Sequence, residues 1–145
     1  MNNILPLHNK YAYNIDENAI YVLSLSYGKD SVACLYAIKK LGLPLHRIIT
    51  ADVWATQDIP ADFPEVTTFK NKVDKWILEN LGITVEHYCA TDKDGNKLSY
   101  EDFFYRFTDR SKSIFKSDIW GFPMVKGAWC NSRLKMSALK NAKKL

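Results

Sequence analysis

Ser26, Gly28, Lys29, Asp30 and Ser31 stand together in "SLSYGKDSVACLYA" (residues 24–37), between an apolar run and a helical pattern. Together these residue types suit an oxyanion. The free N–H groups that open a helix favour negative charge, and a glycine lets the backbone approach it. Lys29 adds a fixed positive charge, and the Ser26 and Ser31 hydroxyls can donate to phosphate oxygens. Ser24 and Tyr27 belong to the same turn and join the candidate phosphate-binding set. Asp30 repels phosphate unless it holds Mg²⁺ or a backbone N–H, so it is read either as a metal ligand or as a plain helix cap. Neither G-x-x-x-x-G-K-[ST] nor G-x-G-x-x-G occurs, which disfavours a Walker-type NTPase and a dinucleotide fingerprint.

Other reactive residues are scattered. Cys34, Cys89 and Cys130 show no C-x-x-C spacing, and His8, His46 and His87 are isolated along the chain, so neither zinc nor an iron–sulfur cluster is expected. Cys34 and Cys89 read as buried thiols. Cys130 is either a buried thiol or a nucleophile whose thiolate Arg133 and Lys135 would favour. From Lys126 to Leu145 there are six Lys or Arg and no acid. This tail is a solvated helix end or an anion-binding wall for nucleotide phosphates; nucleic acid is possible but not favoured.

The positioning elements follow from periodicity. "AIYVLSLS" (19–26) is apolar at nearly every position, as a central strand covered on both faces would be. "SVACLYAIKKLG" follows as a helix with Val32, Leu35, Ile38 and Leu41 inward and Gly42 as its stop. "RIITADV" (47–53) is a second buried strand, ending at Asp52. The next helix carries a stripe of Val66, Phe69, Val73, Trp76 and Ile77. Asp62 with Glu65 forms a capping-box-like start there, Pro64 lies in the first turn and Gly82 ends it. "ITVEHY" (83–88) alternates, with Ile83, Val85 and His87 on one side, as in an edge strand. This β-α-β-α-β order predicts an α/β fold with a three-layer parallel sheet. Beyond it come an Asp94-Gly95 turn, a short helix capped by Ser99 and Asp102 with Tyr100, Phe103, Phe104 and Phe107 on one side, a loop, and a terminal helix over "NSRLKMSALKNAKK". The aromatic residues between 100 and 129 are read as core, with purine stacking as the alternative.

"SYGKDS" resembles S-G-G-K-D-S, the PP-loop of the N-type ATP pyrophosphatases. That superfamily includes phosphoadenosine phosphosulfate (PAPS) reductases, the small subunit of ATP sulfurylase, GMP synthetase, and proteins of DNA phosphorothioation and tRNA thiolation. Asp52 in "TADVWAT", "DFPEVTTFKNKV" and "GAWCNSRLK" are similar, in order, to landmarks of its PAPS reductase-like branch. The resemblance spans about residues 20 to 136. It implies a Rossmann-like sheet of the adenine nucleotide alpha hydrolase type, with strands ordered 3-2-1-4-5. It implies ATP, PAPS or adenylyl sulfate as ligand, and for ATP a cleavage between the α and β phosphates with Mg²⁺. Ser24, Ser26, Tyr27, Gly28, Lys29, Asp30 and Ser31 would then contact phosphate. Lys29, Asp30 and Cys130 are the catalytic candidates, with Asp30 as the Mg²⁺ ligand. Asp52 would lie by the ribose or the metal, and Trp129, Arg133 and Lys135 would face a second substrate. The alternatives are a PAPS or adenylyl-sulfate reductase fragment and a non-catalytic nucleotide-binding module.

Two features depart from that pattern. Tyr27 replaces the first glycine of the loop; it is strained if the position needs positive φ, and otherwise its ring walls the site. The chain also reads as C-terminally short of strands four and five. Strand one would then be an apolar edge, expected to be covered by the terminal helix, a second copy or a protein partner. The 145 residues, 47% hydrophobic and 25% charged, fit a single soluble domain over 1–145. With no membrane span or signal peptide legible, the expected location is cytoplasmic.

Overall fold

The computed structural model describes residues 15–107, 119–123 and 128–142. Within them, β1 (Val22–Ser24), β2 (Arg47–Ala51) and β3 (Val85–Tyr88) form a parallel sheet in the order β1-β2-β3. Helix α1 (Lys29–Leu41) joins the first pair and α2 (Pro64–Leu81) the second. Parallel neighbours need such crossovers, because a tight turn can only reverse the chain. Both helices lie on one face, where Leu35 of α1 and Ile77 of α2 share a buried cluster with Leu25, Tyr27, Ile48 and Val85.

The opposite face is built by alternation. Arg47 sits one residue from Ile48 and so points away from that cluster. Its guanidinium pairs with Glu86 at 2.8 and 2.6 Å, and Nη2 reaches the Tyr88 hydroxyl at 3.3 Å and the Ala142 carbonyl at 3.4 Å. Ala142 ends α4 (Met136–Ala142), which packs over β2 and β3. Helices therefore cover both faces of a three-stranded, open, all-parallel sheet.

Helix ends follow local chemistry. Gly42 and Gly82 close α1 and α2 in the left-handed region, at φ 63° and 68°, and Pro64 occupies the first turn of α2. The short helix α3 (Tyr100–Phe104) starts where Asp102 accepts from the Ser99 backbone N–H at 2.7 Å and its hydroxyl at 2.8 Å. Gly95 turns at φ 87° as the Asp94-Gly95 pair requires.

Several expectations need correction. β1 is not a central strand covered on both faces: β2 is its one strand neighbour among the described residues, and Val22 and Ser24 are exposed. Asp62 does not cap α2, whose N-cap is Phe63; the Asp62 carboxylate is taken by Lys70 at 2.5 Å. Along the α2 stripe Ile77 is buried, whereas Val66, Phe69 and Trp76 are exposed: Val66 faces the cleft beyond the sheet, and Phe69 and Trp76 line an open apolar groove between α1 and α2. Cys34 is exposed, on the outer side of α1. Phe107 lies beyond α3 and is 81% exposed. The terminal helix opens as a π-helical segment, Cys130–Lys135, before α4 begins; residues 143–145 lie outside the described residues.

Candidate functional site

A cleft of about 400 Å³ opens beyond the carboxyl ends of β1 and β2. Open parallel sheets leave such a crevice where their loops diverge, and ligands characteristically bind there. Ser24, Ser26 and the buried Thr50 line its floor, Asp62 comes from the loop before α2, Val66 and Lys70 from its first turns, and Asn131, Lys135 and Met136 close the far wall. Lys70 and Lys135 are the cations in that lining.

The turn from β1 to α1 is held by its own serines. Ser31 Oγ donates to the Gly28 carbonyl at 2.9 Å, Ser26 Oγ lies 3.1 Å from Ser31 Oγ, and the Gly28 N–H points at Ser26 Oγ at 3.4 Å. Lys29 and Asp30 are exposed and are not part of the cleft lining. Asp30 occupies the first turn of α1, but Gly28, the N-cap, has no side-chain cap.

Tyr27 adopts φ 58°, the left-handed region that glycine tolerates and tyrosine does not favour. Holding a residue with a Cβ there costs about 1–2 kcal/mol. Its ring does not wall the cleft. It turns under the sheet, is 7% exposed, and donates its hydroxyl to Asp74 Oδ1 at 2.6 Å. Burial and the Asp74 carboxylate push its phenol well above the ordinary range.

That hydroxyl opens a chain of polar contacts not foreseen from the sequence. Asp74 Oδ2 lies 3.1 Å from His87 Nε2, and His87 Nδ1 lies 2.8 Å from Asp52 Oδ2. Asp52 Oδ1 accepts from Lys70 at 3.4 Å, and Lys70 returns over the Tyr27 ring at 5.2 Å from its centroid. His87, Asp52, Lys70 and Asp62 also line a smaller recess of about 200 Å³ adjoining the cleft. The alternation of β3 put His87 on the same side as Val85, but it is exposed where Val85 is buried; its partners come from α2 and from the end of β2, which spacing along the chain does not relate.

The downstream candidates divide. Trp129 is buried in a second cluster with Phe103, Leu134 and Ala90, its ring 5.2 Å from Tyr100 and 5.4 Å from Phe103, and Trp120 packs against both Phe103 and Trp129. Cys130 is partly buried beside it. Desolvation, with the nearby Cys130, pushes the Tyr100 phenol up to about 12. Arg133 lies over Trp120, at 5.9 Å, and away from the cleft, whereas Lys135 lines it. The loop thus shares the cleft with Lys135 but not with Trp129, Cys130 or Arg133. No helix among the described residues is long and apolar enough to cross a membrane.

The described residues contain no cluster of three or more His, Cys, Asp or Glu arranged to hold a metal. Mg²⁺ accepts one or two carboxylates and completes its shell with water and phosphate oxygens. Asp30, in the first turn of α1 and outside the cleft lining, offers one carboxylate.

No family model matches the chain, and neither the curated proteins nor the solved structures include a match.

Proposed function

We propose that this protein binds ATP or a related adenylate in the cleft and cleaves it between the α and β phosphates. The observation that carries this reading is the Ser26–Ser31 turn at the carboxyl end of a parallel strand, leading into a 13-residue helix at the rim of a cleft that also holds Lys70 and Lys135. The three-stranded parallel sheet suits a Rossmann-like member of the PP-loop proteins that the sequence resembles. In this reading the loop N–H groups and the Ser26 hydroxyl grip the β and γ phosphates. Lys70 and Lys135 face the charge that develops as pyrophosphate leaves. An acceptor nucleophile forms a bond to the α phosphorus while the α–β bridging bond breaks, so AMP passes to the acceptor and pyrophosphate is released. Mg²⁺ bound with the nucleotide would neutralise phosphate charge, with Asp30 as its protein ligand. Positioning and charge supply the catalysis, and no side chain need act as a general base.

A second reading, a nucleotide-binding module without turnover, is favoured by the exposure of Lys29 and Asp30 outside the cleft. Labelled ATP with Mg²⁺ separates the two: AMP and pyrophosphate support cleavage, and saturable binding without products supports the module. A Lys135→Ala protein with unchanged nucleotide affinity would count against both, because Lys135 lines the cleft. We also propose that a second copy or a protein partner pairs with the open edge of β1, where Val22 is 45% and Ile20 is 72% exposed, and that the protein works in the cytoplasm.

A further inference from the structure

We infer that Tyr27 and His87 are positioning residues for the anion site, joined in a closed circuit that ties the phosphate loop to the cleft lysine Lys70. This rests on the nucleotide-binding reading above and names what holds its site in shape. The circuit runs from the Tyr27 hydroxyl to Asp74, through the two ring nitrogens of His87 to Asp52, from Asp52 to Lys70, and from Lys70 back over the Tyr27 ring. Four elements contribute: the β1–α1 turn, α2, β3 and the end of β2.

Three observations make this more than core packing. First, Tyr27 holds a left-handed conformation that glycine would adopt at no cost, so the turn keeps its shape only while the ring and hydroxyl are anchored. Second, the Lys70 side chain is 12% exposed yet lines the cleft; Asp52, Asp62 and the Tyr27 ring fix where its ammonium stands. Third, both His87 nitrogens face carboxylates. The ring therefore has no nitrogen left for a substrate proton. It acts by orienting Asp52 and Asp74, not by touching the reacting atoms.

Positioning of this kind is worth most to a ligand that must meet the loop and the lysine together. Coupling between such groups is commonly about fivefold or more in affinity. Removing either the Tyr27 hydroxyl or the His87 ring should therefore weaken pyrophosphate and ATP binding by at least about fivefold.

The test is calorimetric titration of the full chain with inorganic pyrophosphate and with ATP, alongside thermal unfolding. Tyr27→Phe keeps the ring beneath Lys70 but loses the bond to Asp74, and His87→Gln breaks the link between the two carboxylates. Both are expected to lose affinity. Ile77→Val, a core change outside the circuit, is expected to lower the unfolding midpoint while keeping the affinity. Asp74→Asn supplies the rescue control. Its amide oxygen still accepts from Tyr27 and its amide nitrogen donates to His87, so it should recover most of the affinity lost in Asp74→Ala. A wild-type protein that binds both ligands while Tyr27→Phe and His87→Gln bind within twofold of it overturns the circuit and leaves the nucleotide reading standing. A loss of affinity in Ile77→Val equal to theirs overturns it too. A wild-type protein that binds neither ligand overturns the nucleotide reading, and the inference with it.

Discussion

Replacing Tyr27 by glycine pits relief of backbone strain against loss of an anchor, and the structure decides which is larger. Glycine removes the cost of a left-handed residue, about 1–2 kcal/mol. It also deletes an aromatic side chain that is 7% exposed and packed with Leu25, Leu35, Ile48, Ile77 and Val85. Truncating a buried aromatic ring typically costs about 3–5 kcal/mol. The expected net is a destabilisation of about 1–4 kcal/mol. In a chain of this size that corresponds to a fall in unfolding midpoint of about 3–13 °C. Tyr27→Phe isolates the hydroxyl. A bond to a charged acceptor is worth about 1.5–3 kcal/mol, and the lower end applies because Asp74 keeps His87 and is partly exposed. Urea unfolding followed by circular dichroism measures both. A Tyr27→Gly protein as stable as the wild type, or more so, would refute the claim that the ring holds the strained turn. Alkali offers a check on sign. A phenol raised in the folded state contributes stability that is present below its unfolded pKa of about 10 and is lost as pH rises above it. The wild type should therefore lose more stability than Tyr27→Phe above that pH.

Acid should expose the opposite sign at Glu86. Its Arg47 and Tyr88 partners hold the carboxyl down to about 2, so its contribution is present above the ordinary carboxylate range and drains away as pH falls from there toward 2. Glu86→Gln should flatten that part of the acid-unfolding profile. Trp129→Ala removes a ring shared by Tyr100, Phe103 and Trp120, and should cost about 3–5 kcal/mol by urea unfolding; a smaller loss would mean that the second cluster is not a core. Val22→Lys charges the exposed edge of β1 and should reduce concentration-dependent self-association in sedimentation velocity if a second copy pairs there.

The sheet was legible because its signals are local. Glycines at 42 and 82, the alternation through Val85 and His87, and the run from Arg47 to Ala51 each constrain one element without reference to another. The Ser26–Ser31 turn was legible for the same reason. What escaped depends on distance in sequence. Asp74 and His87 are ordinary residues of a helix and a strand until the β2–β3 register and the lie of α2 bring them to Tyr27. Asp62 looked like a cap because its spacing to Glu65 is a cap's spacing, but Lys70 is a stronger partner for a carboxylate than a backbone N–H. The resemblance set Trp129 toward a second substrate, whereas it is buried among aromatic rings, as the core reading of the residues between 100 and 129 expects from its large apolar area. Val66, Phe69 and Trp76 had the periodicity of a buried stripe; how much of a stripe is covered depends on which elements close over it, and here Val66 faces the cleft while Phe69 and Trp76 line an open groove against α1.

Calorimetric titration of the wild-type chain and of Lys135→Ala, which removes a cation of the cleft lining, with ATP in Mg²⁺ tests the central claim most directly. The account predicts saturable binding to one site in the wild type and a marked loss of affinity in the variant. Binding that is absent, or equal in the two proteins, would contradict it.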